Sequence, residues 1–401
     1  MLLTAPLPMI ENEWRTDIMI LSTYIHIPFC EKLCHYCDFT KFFYEERMAD
    51  EYLQALAKEM SFYLKDKKHP MRTIFVGGGT PTALNLKQLE YLLKQIDDHI
   101  DVSSVLEYSF EANPGDLNED KIKLLKSYGV NRISMGVQVF DDQLLEDLGR
   151  LHRVADVDQN INHLLKNGMN NISIDLMYGL PNQTLDSFNH SIEQALSYDL
   201  PHYSSYSLQI EPKTVFYQRH QKGKLHKPPE EVEAKMFELL IDKMSKSGKL
   251  QYEISNFAEV GYESQHNLTY WNNQYYYGFG AGASGYLPGK RIINLRPFPA
   301  YVKEATRSGQ PILHIDEIGK KEQIEEEMFL GLRKRAGVNK LEFERKYHRT
   351  INELYGKQIE ELIERDWLEE TTEQIKMTEH GQLFGNEVFQ RFLLEDGDFD
   401  E

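Results

Sequence analysis

The sequence predicts an α/β fold: six strand–helix units in series, followed by a smaller, winged-helix-like α+β appendage. Three observations lead there. From residue 24 to about 209, short runs rich in β-branched and aromatic residues alternate with longer amphipathic stretches. The chain has 401 residues, more than one core usually organises. Past residue 209 the texture turns polar and Pro-containing, then charged and helical.

Strands are expected at 24–27, 73–76, 106–111, 132–138, 172–177 and 203–209. Helical patterns fall between them near 48–64, 86–100, 118–128, 155–167 and 184–198, with a short extra one near 141–148. Strand, helix, strand in repetition implies parallel strands joined by right-handed crossovers, hence an open or closed barrel or a doubly wound sheet. Six units fall short of a complete eight-fold barrel. One parity of the later strands reads Ser109 and Glu111; Ser134, Gly136 and Gln138; Ser173 and Asp175; Ser205, Ser207 and Gln209. A closed barrel fills its middle with bulky branched side chains, so an inward row of small and polar ones predicts a ligand cavity.

Around this core the chain divides into an extension over 1–22, the barrel over 23–210, a connecting region over 211–312, an appendage over 313–394 and a tail over 395–401. The connecting region carries a helix near 230–246 and an aromatic, Gly-rich stretch over 251–286. The appendage reads as three helices, a hairpin within 366–377 and a last helix near 379–394. Five acids among the final seven residues predict a solvated tail.

Charge narrows the partners. Lys plus Arg is 45 and Asp plus Glu is 63, a formal net charge of −18. Such a chain repels polyphosphate and has no basic run to offset that, so no nucleic-acid partner is expected. No apolar stretch approaches the roughly 18–20 residues that span a bilayer, and the first residues lack the basic-then-apolar order of a signal peptide. A cytoplasmic protein is the expectation.

Cysteine usage is more telling. The three cysteines, Cys30, Cys34 and Cys37, lie on the loop that leaves the first strand. An odd number packed this closely makes no disulfide framework. Three thiolates can hold an iron–sulfur cluster with one iron left open, and zinc is the competing metal, with His35 or His26 as a fourth ligand. The three-then-two spacing is tighter than usual zinc knuckles.

The spacing Cys30-x-x-x-Cys34-x-x-Cys37 resembles the signature of the radical S-adenosylmethionine (SAM) superfamily. The likeness continues through Phe75-Val-Gly-Gly-Gly-Thr-Pro81, Glu111-Ala-Asn-Pro-Gly115, Gly136-Val-Gln138, Leu148-Gly-Arg150-x-His152, Asp175-Leu-Met-Tyr-Gly-Leu-Pro181 and Tyr252-Glu-Ile-Ser-Asn-Phe257. This series resembles the branch that holds oxygen-independent coproporphyrinogen III dehydrogenases (HemN) and heme chaperones, over nearly the whole chain from Tyr24 to about Phe392. The resemblance implies a partial (β/α)6 radical-SAM barrel and a [4Fe–4S] cluster on the three cysteines, its open iron chelating SAM. It further implies that Tyr24, Tyr36, Gly78, Gly79, Thr80, Glu111, Gln138, Arg150 and Asp175 line the SAM site. The chemistry suits the roles. Glycines let a backbone approach closely. Glu111, Gln138 and Asp175 suit ribose hydroxyls, Arg150 a carboxylate and Tyr36 adenine.

Two departures separate the sub-branches. Where the dehydrogenases carry a further cysteine two positions past the third, this chain has Phe39, and the stretch before the motif is shortened to about two dozen residues. In addition, His266-Asn-Leu-Thr-Tyr270-Trp271 resembles the His-Asn-x-x-Tyr-Trp motif of the chaperones. The resemblance thus implies a chaperone that binds heme and passes it to an acceptor hemoprotein, soluble or membrane-bound, with His266 in heme binding. Imidazole is a common axial ligand and Tyr270 and Trp271 can flank a porphyrin. The bland alternative is a loop histidine beside core aromatics, with His26, His35, His202 and His314 as other ligand candidates. The other functional alternatives are oxidative decarboxylation of coproporphyrinogen III and RNA modification, the latter disfavoured by the acidic charge.

Overall fold

The computed structural model describes residues 19–65 and 68–395. The expected extension, up to residue 18, and the acidic tail beyond residue 395 lie outside the described residues.

Six parallel strands form in chain order: β1 (Ser22–Ile27), β2 (Thr73–Gly78), β3 (Glu107–Ala112), β4 (Arg132–Gln138), β5 (Ile172–Tyr178) and β6 (His202–Ser207). Each pairs in parallel with the next, so the sheet order follows the chain order. That sequential winding belongs to a partial barrel, not a doubly wound sheet, whose order reverses part-way. The crossovers are α1 (Glu46–Tyr63), α2 (Leu86–His99), α3 (Glu119–Ser127), α4 (Asp142–Asp147) with α5 (Val154–Lys166), and α6 (Leu185–Ser197). Several start where the sequence supplies a cap: Asn85 and Thr184 each form a reciprocal capping box, and Asn118 accepts from the Lys121 amide. The outward strand face meets these helices and is apolar, with Ile25, Ile74, Phe110, Ile133 and Ile174 all fully buried.

The connecting region is more deeply woven into the barrel than the expected boundary at 210 implies. It supplies α7 (Val215–Gln221), α8 (Glu230–Lys246), β7 (Leu250–Glu253), β8 (Asn256–Ala258), α9 (Gln265–Trp271) and β9 (Tyr277–Phe279). β8 and β7 add antiparallel beyond β6, and β9 adds parallel beyond β1, giving a nine-stranded sheet. A meander follows, β10 (Ser284–Leu287), β11 (Lys290–Asn294) and β12 (Ile312–Glu317), with α10 (Phe298–Ser308) crossing between its last two strands. A buried carboxylate ties this segment down. Glu59 of α1 accepts from the Gly280 amide at 2.9 Å, Asn294 Nδ2 at 2.6 Å and the Tyr301 hydroxyl at 2.6 Å. Burial lifts its pKa to about 7 and those donors pull it down.

The appendage begins near residue 320, because 312–317 belongs to the meander. It comprises α11 (Lys320–Gly331), β13 (Val338–Asn339), α12 (Lys340–Tyr347), α13 (Ile351–Glu364), β14 (Leu368–Glu370), β15 (Gln374–Met377), α14 (Glu379–Gln382) and α15 (Gly385–Gln390). It has its own core around Met328, Phe343, Tyr355, Ile359 and Phe392. The last expected helix is broken into α14 and α15 at Phe384, whose ring stacks on Trp367 at 4.7 Å. Among the described residues, no helix is long and apolar enough to cross a membrane.

Candidate functional site

Strand register decides which side chains share the barrel interior. Parallel partners point the same way, so the pairings Tyr24–Phe75–Ser109–Arg132, Glu111–Ser134–Ser173–His202 and Gly136–Asp175–Ser204 define three inward layers. They enclose a polar cavity of about 210 Å³, lined by Tyr24, Phe75, Glu111, Ser134, Asp175, His202, Ser204 and Tyr206 among others. On β6 the expected parity is off by one: His202, Ser204 and Tyr206 face inward, while Ser207 faces out and donates to Glu233. Serines occupy both parities of His-Tyr-Ser-Ser-Tyr-Ser, so that strand's facing is set by its neighbour Asp175 rather than by its own pattern.

Two carboxylates sit in this enclosure. Glu111 accepts from the Gly78 amide at 2.8 Å, and a Cβ on Gly77 would come within 2.7 Å of its carboxyl. Burial raises Glu111 to about 7, the Gly78 amide works against that, and Asp175 adds to it. Burial also raises Asp175 to about 6, against the hydroxyls of Ser204 and Ser134. Each retains acceptor capacity for ligand hydroxyls.

The cysteine loop lies over the C-terminal ends of the strands. Cys30 is buried, with Thr80 Oγ1 at 3.7 Å from its sulfur, and Arg150 Nη1 lies 3.5 Å from Cys34 Sγ. Lys41 donates to the Cys37 carbonyl. Arg150 also reaches Asn113 Oδ1 at 2.5 Å, and Asn113 in turn donates to Thr80 at 2.8 Å. A small recess of about 30 Å³ opens here between Cys34, Asn113, Asp116 and Arg150. Burial raises the Cys30 thiol to about 11, with the Thr80 contact opposing, and raises Cys37 as well. The charge of a bound metal centre would favour deprotonation of these buried thiols.

The opposite end of the barrel is closed by α9. Glu107, at the start of β3, accepts from Ser264 Oγ at 3.1 Å and from the Gln265 and His266 amides at 2.8 and 3.0 Å, capping the helix with a carboxylate. His266 is 1% exposed and lines the cavity floor. Its Nδ1 pairs with Thr73 Oγ1 at 2.9 Å, its Nε2 with the Tyr270 hydroxyl at 2.7 Å, and its ring stacks on Phe75. Burial pushes its pKa down to about 3. In this structure both nitrogens of His266, the residue expected to bind heme, are already paired. The other candidates fare similarly. His26 and His202 have both nitrogens paired, His35 Nδ1 is held by the Asp147 carbonyl, and His314 Nε2 pairs with Asp316 on the surface.

With this geometry in view, the likeness to known proteins is informative. The sequence model of the Radical SAM superfamily matches residues 24–195, and that of the HemN C-terminal domain matches 318–384. The chain is 50% identical over 376 residues to the heme chaperone HemW of Bacillus subtilis (strain 168), covering 93% of this chain and 99% of that one. It is 32% identical to the heme chaperone HemW of Escherichia coli (strain K12), over 94% and 98% of the two chains. The chain belongs to the HemW family. The barrel and appendage also superpose on coproporphyrinogen III oxidase (HemN) from Escherichia coli, with a TM-score of 0.83, 22% identity and coverage of 95% and 91%. That likeness establishes the fold, a partial radical-SAM barrel with a C-terminal α+β domain.

For a HemW-family chain, the donor set at the mouth fits a cluster better than zinc. His26 and His35, the candidates for a fourth zinc ligand, are turned to other partners. Three thiols on one loop, with Thr80, Arg150 and Lys41 directed at them, are the surroundings of an anionic cluster. Of the expected SAM residues, Tyr24, Glu111 and Asp175 meet in the cavity, and Thr80 and Arg150 meet at the mouth. Tyr36 stands beside Cys34 and Arg150 at the mouth and packs on the apolar cluster of Leu144, Leu148 and Phe216. Gln138 ends β4 at φ 71°, past an irregularity in the β4–β5 register, and is not among the cavity-lining residues. Gly78 and Gly79 have a second reason to be glycine, because a Cβ would strike the His26 ring and the backbone at Phe29. Arg132 and Tyr206 were not anticipated, Phe75 and Asn113 stood in the quoted motifs without a role, and His202 was a candidate only as a heme ligand. The alternation that flagged Ser134 and Asp175 could have found Arg132, which stands two residues before Ser134.

Proposed function

We propose that this chain is a cytoplasmic heme chaperone: it binds heme, passes it to an acceptor hemoprotein, and carries a [4Fe–4S] cluster on Cys30, Cys34 and Cys37 with SAM at the open iron. One observation carries the reading, namely end-to-end identity of 50% to a protein named as a heme chaperone. Phe39, at the position where the dehydrogenases resemble one another in carrying a cysteine, supports it over porphyrinogen decarboxylation. The acidic balance of −18 fits a protein acceptor rather than nucleic acid.

When bound, the cluster supplies a redox-active centre with one coordination position open to the amino and carboxylate groups of SAM. Arg150, released from Cys34, would hold that carboxylate, and Glu111, Gln138 and Asp175 would take the ribose hydroxyls. Gly78, Gly79 and Thr80 bring backbone and a hydroxyl beside it, with Tyr24 and Tyr36 offering ring faces. The barrel cavity of about 210 Å³ is given to SAM in this reading, so heme is placed outside it, and the cluster acts on transfer from a distance, as a gate.

The test is transfer itself. Anaerobically reconstituted protein is loaded with heme and mixed with an apo-hemoprotein, and the Soret band of the acceptor is followed. Wild type should deliver heme, whereas Cys30→Ser should lose the iron–sulfur absorption and deliver it several-fold more slowly. Transfer unchanged by Cys30→Ser would remove the gate. Turnover of coproporphyrinogen III without heme binding would replace the chaperone reading with the dehydrogenase.

A further inference from the structure

We infer that heme sits in the cleft between α8 and the C-terminal domain, with His380 as its axial ligand; this rests on the heme-chaperone reading above. The cleft holds about 630 Å³, against about 210 Å³ in the barrel cavity, and lies within the range of small-molecule pockets. Its walls suit a flat apolar ring. Phe237 and Ile241 of α8 form one side, and Leu383, left 58% exposed just after α14, belongs to the other. An isolated exposed leucine means little, but one that shares a cleft with an aromatic and an isoleucine has a ligand-sized apolar surface around it.

His380 is held yet open. Its ring packs edge-on against Phe384 at 5.2 Å, and Phe384 stacks on Trp367 at 4.7 Å. The aromatic pair orients the imidazole, while among the described residues neither ring nitrogen has a hydrogen-bond partner. His26, His202 and His266 present the contrary case, each with both nitrogens taken. Neutral imidazole with a free nitrogen is the form that ligates heme iron.

The rim completes the match. Lys246 pairs with Asp242 at 2.7 Å and Arg335 with Glu379 at 3.4 Å, both at the exposed edge. Exposed pairs of this kind are weak, so two propionates can take over the two cations. With Glu238 also present the rim carries three carboxylates to two cations, so a dicarboxylate is held there only through Lys246 and Arg335, and a polyphosphate is repelled. The cleft is also open to solvent, as a site that must release its ligand to a partner requires.

Hemin titration of the full, anaerobically reconstituted chain tests the assignment. His380→Ala, at an exposed position, should weaken binding by about tenfold or more and shift the Soret band, and added imidazole should restore the wild-type spectrum. Leu383→Glu should weaken binding without rescue by imidazole. Wild-type affinity and spectrum in His380→Ala would overturn the cleft and leave the chaperone reading standing. Failure of the wild type to bind heme at all would overturn both.

Discussion

The barrel interior and the interdomain cleft treat the same side chain in opposite ways. His266 is sealed into the barrel floor with Thr73, Tyr270 and the Phe75 ring satisfying every face, and burial keeps it neutral down to about pH 3. His380 stands at the surface, oriented by Phe384, and among the described residues its nitrogens have no hydrogen-bond partner. Buried polar groups must be paired or they cost stability, so a paired histidine in the core is already spent on the fold. An oriented, unpaired one at the edge of a cleft is free to bind. The difference teaches that a motif histidine and a ligand histidine are told apart by what already occupies their nitrogens.

The largest effect that tests this contrast is on folding. His266→Ala removes two hydrogen bonds, leaves Tyr270 and Thr73 unpaired beside a new void, and should cost about 3 kcal/mol. Calorimetry would record a lowered barrel transition, while hemin titration of the protein that remains folded should give near wild-type affinity. A variant as stable as wild type that has lost heme binding would reverse the assignment of roles.

A smaller effect comes from the carboxylates above that floor. Glu111, facing Asp175, Tyr24, Tyr206 and Tyr270, is raised to about 7 in the folded chain. A raised carboxyl contributes stability that is fully present below its unfolded value of roughly 4.3 and is lost as pH rises through about 7. Glu111→Gln keeps a neutral acceptor for the Gly78 amide, so the variant should gain about 2 kcal/mol on the wild type between pH 5 and pH 8. Urea unfolding at the two pH values measures this directly. His202 and His266, whose pKa values are lowered by burial, lose stability on acidification in both proteins and cancel from the comparison. Parallel profiles for the two proteins would mean that Glu111 is ionised without penalty.

What was legible in the sequence follows the range of the interactions. The cysteine loop and the glycine run are local patterns, and the alternation on β3, β4 and β5 displays their inward face because their outward face is uniformly apolar. On β6 both faces carry serine, and only pairing with β5 settles which is which. β7, β8 and β9 are three or four residues long, too short to carry a period, and their place in the sheet is decided by partners far away in sequence. His266 was singled out by its motif, and its pairing with Thr73, 193 residues upstream, was beyond any local pattern. The cleft had no sequence signal, since it exists only where α8 meets the segment around His380.

The smallest expected effect is the most discriminating for the cleft. His380→Ala gives up an edge contact to Phe384 at an exposed position and breaks no hydrogen bond among the described residues, so it should cost less than about 1 kcal/mol. The C-terminal domain keeps its core of Met328, Phe343, Tyr355 and Phe392 untouched. A nearly unchanged melting profile, set beside weakened heme binding, would separate a ligand from a prop. A large loss of stability would mean instead that His380 holds the α14 segment in place and that any loss of heme is secondary. Together with His266→Ala, which should move stability and spare heme, the two single variants then form a crossed pair, and only a division of roles between barrel floor and cleft produces opposite outcomes in both.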